Sequence, residues 1–141
     1  MHNQRKEYGK TLVELGRENP DIVVLEADLG KSTMSCMFEA EFPKRYFEMG
    51  IAEQNMIGIA AGLAMEGKTV FATTYASFIA VRSLEHVRQH LSHLQCNVKI
   101  VGSSAGVVAA RSGVSHWATE DVAFTRVLPG MTVLSPADSL E

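Results

Sequence analysis

The chain has 141 residues, 46% of them hydrophobic and 21% charged, with thirteen Lys and Arg against sixteen Asp and Glu for a formal charge of −3. That is one domain's worth of sequence with enough apolar content for a core, which excludes a disordered tail, a collagen-like polymer and a coiled coil. No basic surplus is available to neutralise phosphates, so nucleic-acid binding is not expected, and the longest apolar run, ten residues from Met56 to Met65, is too short to cross a membrane.

In chain order, residues 5–18 carry Tyr8, Leu12 and Leu15 at helical spacings of four and three. A turn signal, Asn19-Pro20-Asp21, then leads into the apolar run Ile22-Val23-Val24-Leu25, which reads as a buried strand. Residues 45–49 are a weaker strand candidate. Residues 52–66 form an almost wholly apolar helix with Gly58 and Gly62 four apart, expected to be buried nearly all round against something large. After the Gly67-Lys68 break, residues 69–73 read as a strand, 77–94 as a helix and 98–101 as a strand. Gly102-Ser103-Ser104-Ala105-Gly106 lacks the Lys-Ser/Thr of a P-loop and the third glycine of a dinucleotide fingerprint, and reads as a tight turn. A helix over 119–126 and a strand over 131–134 follow, and Ser135-Pro136-Ala137-Asp138 resembles the opening of another helix.

Strands alternating with helices of this length predict an α/β fold: three layers, a mostly parallel sheet with helices on both faces. One domain is expected over residues 1–141, cut short at its C-terminal end, because a helix opens there and the chain stops. The first seven residues are polar and lack the apolar stretch of a signal peptide. Cys36 and Cys96 lie far apart with no Cys-x-x-Cys, which suits a reducing, cytoplasmic setting.

The segment Tyr46-Phe47-Glu48-Met49-Gly50-Ile51-Ala52-Glu53 closes a strand and opens the apolar helix. In open α/β sheets ligands bind at the carboxyl ends of strands. A carboxylate at the mouth of so apolar a helix is expected to be partly desolvated, which favours holding a proton near neutrality. The alternative is that Glu53 merely complements the helix dipole. Phe78 likewise fits either a ligand-stacking role or the helical stripe that continues through Val81, Leu84, Val87, Leu91 and Leu94. His86, His90 and His93 share one helix edge, but no carboxylate or cysteine completes a metal set, so they read as a solvated or partner-facing row.

Ile51-Ala52-Glu53-Gln54-Asn55-Met56 followed by Ile59-Ala60-Ala61-Gly62-Leu63-Ala64 resembles the pyrimidine-binding domain of transketolases, and is closest to the split transketolases whose halves are separate chains. The resemblance runs from Arg5-Lys6 through Ala27-Asp28-Leu29-Gly30-Lys31-Ser32-Thr33, Thr74-Tyr75-Ala76-Ser77-Phe78 and Gly113-Val114-Ser115-His116 to Ser135-Pro136-Ala137-Asp138. It implies a thiamine diphosphate enzyme that moves a two-carbon ketol unit between sugar phosphates. Related thiamine diphosphate enzymes (deoxyxylulose-phosphate synthases, oxo-acid dehydrogenase β subunits) share the Glu-Gln core, and a non-catalytic partner-binding module with this fold is a further alternative.

In the roles the resemblance implies, Glu53 hydrogen-bonds N1′ of the aminopyrimidine, favouring the tautomer that can accept the thiazolium C2 proton. Tyr75 and Phe78 hold the ring, and Asp28 lies near the thiazolium and the interface with the partner half; a helix cap is the other use open to Asp28. Arg5 and Ser32 grip the sugar phosphate, and His116 meets the substrate's reacting oxygens. The sequence departs from the family at Ala110-Arg111-Ser112-Gly113, which stands for the usual Gly-Glu-Asp-Gly, at Ser104 in place of a substrate histidine, and at Trp117. Cofactor positions are kept while sugar-reading positions are rewritten, which puts xylulose and ribose phosphates in question. The family's Gly-Asp-Gly…Asn motif for Mg²⁺ and diphosphate is not found in these residues. The resemblance therefore implies a diphosphate-binding partner subunit or domain that carries the Mg²⁺ ligands, and a homo- or hetero-oligomeric enzyme.

Overall fold

The computed structural model describes residues 3–141. Helix α1 (Gln4–Glu18) starts at Asn3, whose side chain accepts from the backbone N–H groups of Arg5 and Lys6. Strand β1 (Ile22–Glu26) is buried throughout. Two short helices, α2 (Gly30–Thr33) and α3 (Cys36–Glu41), precede β2 (Tyr46–Glu48); α2 falls by Ser32, where the sequence allows a helix start, and α3 was not foreseen from the sequence. Helix α4 (Glu53–Met65), strand β3 (Thr69–Tyr75) and strand β4 (Val98–Ser103) fall where the pattern put them, within a residue or two.

The four strands form one parallel sheet in the order β2-β1-β3-β4. Alternation along β1 divides the core. Val23 and Leu25 point to one face, with Met56, Ile57 and Ala60 of α4 and Val87 and Leu91 beyond β3. Ile22 and Val24 point to the other, with Leu12, Phe38 and Tyr46. Helices thus cover both faces, as expected of three layers. Close packing requires a glycine in α1: a Cβ on Gly9 would lie 2.5 Å from the carbonyl oxygen of Met34.

Four expectations need correction. The helix expected over 77–94 is present but not regular: π-helical turns at Phe78–Arg82 and Val87–His93 flank an α turn at Leu84–His86 (α5). The wider turn is marked by Ser83 N–H donating to the carbonyl of Phe78, five residues back, at 3.2 Å. The last helix is short, α6 (Asp121–Thr125). Residues 131–134 form no strand. Met131 and Val133 are half-buried while Thr132 and Leu134 face out. The segment and the edge strand β4 both line a cavity of about 800 Å³, and no ladder joins them. Residues 135–141 bend rather than continue as a helix, and Gln4 Nε2 donates to the carbonyls of Pro136 and Asp138.

Finally, α4 is buried on one face only, through Glu53, Met56, Ile57, Ala60 and Ala61. Gly58, Ile59, Gly62 and Met65 face outward, and a Cβ at either glycine would meet nothing within 4 Å among the described residues. Besides the sheet, α4 packs against the helical segment over residues 78–93, and its outward face has no cover among the described residues.

Candidate active site

The chain winds from β1 to β2 on one side of the sheet and continues to β3 on the other. The order therefore reverses between β1 and β3, and the crevice at their carboxyl ends is where such sheets take ligands. Asp28 follows β1 at that lip and Tyr75 ends β3.

Glu53 is the first residue of α4, at the positive end of its dipole, and is only 2% exposed. Its carboxylate is desolvated, as expected, and it has a partner that the sequence reading did not name. Nη1 of Arg82 donates to Oε1 at 2.8 Å and to Oε2 at 2.9 Å. Arg82 also places its guanidinium carbon 4.2 Å from the centre of the Phe78 ring. The π turn that joins Phe78 and Arg82 brings the two to one side of the helical segment. Gln54 secures the pair from the α4 side, its Nε2 donating to the Arg82 carbonyl at 3.1 Å.

Phe78 and Tyr75 are stacked, with ring centres 5.9 Å apart and planes at 22°. The imidazole of His116 meets Phe78 edge-on at 5.1 Å and Tyr75 at 6.2 Å. His116 sits in a short 3-10 turn, Val114–His116, where its Nδ1 lies 3.0 Å from the Ser115 hydroxyl. The Tyr75 hydroxyl lies 2.8 Å from that of Ser32 in α2, and Arg5 Nη1 donates to the Ser32 carbonyl at 3.0 Å. Six of the seven residues singled out from the sequence are thus joined by direct contacts, with Arg82 as the missing link: Arg5, Ser32, Tyr75, Phe78, His116 and, through Arg82, Glu53.

Asp28 stands apart from this cluster. It is exposed and left-handed, with φ +58°, a conformation Asp tolerates better than most residues. Its N–H donates to Glu48 Oε1 at 2.7 Å, an oxygen that also accepts from Gly50 N–H at 2.9 Å. The N-cap position of α2 is Leu29, with no side-chain cap, so the capping alternative for Asp28 falls away.

A second residue missed from the sequence is Glu26, fully buried at the end of β1. Its Oε1 accepts from Ala27 N–H at 3.1 Å, and its Oε2 accepts from the hydroxyls of Thr33 at 2.7 Å and Ser35 at 2.6 Å. Burial pushes this carboxyl up to about 7, against the lowering effect of those donors. It pins the loop that carries Asp28 and Ser32. The available signal was a lone carboxylate in an otherwise apolar run. For Arg82 the signal was a cation four residues after an aromatic residue on the same helical segment.

Of the rewritten positions, Ser104, Ala110, Arg111 and Ser112 line a broad hollow of about 1300 Å³ alongside Arg5 and Tyr75. Thr74 Oγ1 and Ser77 Oγ, on either side of Tyr75, are buried and have no hydrogen-bond partner among the described residues.

The fold and this cluster define a doubly wound α/β domain with its polar and aromatic side chains gathered at the switch point. The family described as "Transketolase, pyrimidine binding domain" matches residues 2–141. A "Putative transketolase C-terminal section" of Methanocaldococcus jannaschii is 48% identical over 134 residues, spanning 95% of this chain and 42% of that protein. An apulose-4-phosphate transketolase subunit of Phocaeicola vulgatus is 43% identical over 135 residues, spanning 96% of this chain and 43% of that protein. A solved structure described as "Split gene transketolase, inactive beta4 tetramer" superposes with TM-score 0.84 at 53% identity, covering 96% of this chain and 43% of that one. The chain belongs to the transketolase pyrimidine-binding domain family. It spans less than half the length of these relatives.

Proposed function

We propose that this chain is the pyrimidine-binding half of a thiamine diphosphate-dependent transketolase-like enzyme. The observation that carries the reading is the Glu53 carboxylate, buried at the start of α4 and linked through Arg82 to the face of Phe78. These residues suit the ring end of the cofactor by donor set: a carboxylate for a ring nitrogen, an aromatic face for the ring, and unsatisfied hydroxyls on Thr74 and Ser77 beside it. They do not suit its other end. Among the described residues no group of three or more His, Cys, Asp or Glu could hold a metal ion. We therefore assign Mg²⁺ and the diphosphate to a complementary chain or domain.

When bound, thiamine diphosphate supplies the carbanion chemistry by which a two-carbon ketol unit leaves one sugar phosphate for another. Glu53 would hydrogen-bond N1′ of the ring, and its burial would keep water from competing for that bond. Phe78 and Tyr75 would offer aromatic faces to the ring. Asp28, at the β1 lip, presents an anion toward the thiazolium. Arg5 and Ser32 form the phosphate end of the substrate groove. His116 offers a hydrogen bond or a proton to the oxygens of the sugar. Arg111 and Ser112 replace the family's acidic pair in the same hollow, so the sugar accepted is expected to differ from xylulose and ribose phosphates.

The outward face of α4 is the surface we assign to the complementary chain. The solved relative described as an inactive beta4 tetramer supports dependence on such a partner. Free Cys36 and Cys96 support a cytoplasmic setting. The test mixes the chain with a diphosphate-binding half, thiamine diphosphate and Mg²⁺, and follows ketol transfer between sugar phosphates. Transfer that requires both halves bears the reading out; no transfer and no cofactor binding refutes it. One observation, the loss of the acidic pair at residues 111–112, favours a second reading as a non-catalytic module, which cofactor binding without transfer would select.

A further inference from the structure

The Arg82 guanidinium occupies the two contacts that the function proposed above reserves for the cofactor ring. Its Nη1 sits between the two oxygens of Glu53, at 2.8 and 2.9 Å, and so takes up the lone pairs that face the crevice. The rest of that carboxylate is buried, which leaves no second direction of approach. The same guanidinium lies over the Phe78 ring at 4.2 Å. A guanidinium and a protonated aminopyrimidine share a flat N–C–N unit with N–H donors at its edge and a π-face for stacking. One carboxylate and one aromatic face cannot serve both at once.

We propose, on the reading of the site given above, that Arg82 is an internal stand-in for the aminopyrimidine and is displaced when the ring binds. Before binding it keeps Glu53 paired, which a buried carboxylate requires. Its side chain is 44% exposed, so it can swing into water without itself becoming a buried unpaired charge. Ring binding is then an exchange of partners at Glu53, and the measured affinity is reduced by the fraction of molecules in which Arg82 still holds the site. His116, edge-on to Phe78 at 5.1 Å, stacks on no face of that ring and is not the plug.

The test is calorimetric titration of thiamine diphosphate with Mg²⁺ into the chain assembled with its diphosphate-binding half, comparing wild type, Arg82→Met and Arg82→Lys. Arg82→Met removes both contacts and is expected to bind about tenfold tighter or better. Arg82→Lys keeps the ion pair, and therefore the fold, but lacks the flat face; it is expected to bind a few-fold tighter, and it decides the matter alone if the Met variant does not fold. A gain in affinity on truncation is a readout that a purely structural arginine would not give. Unchanged or weaker binding in the variants overturns the displacement and leaves the function standing. Absence of binding by wild type and variants alike, with circular dichroism showing folded chains, overturns the proposed function and this inference with it.

Discussion

The hydroxyls of Ser32 and Tyr75 meet at 2.8 Å, tying the loop after β1 to the end of β3 across the crevice between them. This bond joins the residue expected at the substrate phosphate to a residue expected at the cofactor ring. Tyr75→Phe keeps the stack on Phe78 and deletes the tie. It should lower stability by about 1 kcal/mol, or about 3 °C in thermal midpoint. In the assembled enzyme it should raise KM for the phosphorylated substrate more than it lowers kcat.

Glu26 makes stability depend on pH. Its carboxyl titrates at about 7 when folded against 4.5 ordinarily, so the folded state binds its proton more tightly than the unfolded state does. The stability this lends is fully present below pH 4.5 and is lost as pH rises through about 7, amounting to about 3 kcal/mol. Urea unfolding midpoints should therefore fall between pH 5 and pH 8 in wild type. In Glu26→Gln that part of the fall should disappear.

Gly9 lets α1 lie against the loop that carries Ser32. An added methyl would meet the Met34 carbonyl at 2.5 Å, and backbone cannot yield as a flexible side chain would. Gly9→Ala should destabilise the chain by about 1–3 kcal/mol in denaturant unfolding, whereas an alanine at Gly58, where nothing lies within 4 Å, should not.

The outward face of α4 should matter to assembly and not to folding. Gly62→Arg places a large charge where the chain has nothing within 4 Å, and it removes a helix-interior glycine. The thermal midpoint of the isolated chain should hold or rise. Sedimentation of the variant with the diphosphate-binding half should show the complex lost.

The sheet was legible because each strand is a short apolar run between turn signals, as at Ile22 and Thr69. Glu53 was legible because an apolar helix began with a carboxylate. Its partner was not, because the spacing of Arg82 four residues after Phe78 pairs those two and does not say that their turn lies against the start of α4. The strand expected at 131–134 shows the converse. An apolar run marks a candidate strand but not whether a neighbouring backbone pairs with it, and here the segment and β4 line one cavity without pairing. The need of α4 for burial against something large was legible from its apolar composition, which does not say which chain supplies the cover.

The account turns on Glu53 sharing a proton with the cofactor ring. The most direct measurement is ketol transfer by the assembled halves carrying Glu53→Gln, with cofactor and Mg²⁺ saturating and the fold verified by circular dichroism. The predicted result is a fall in kcat of at least about a hundredfold. Turnover within twofold of wild type would contradict it.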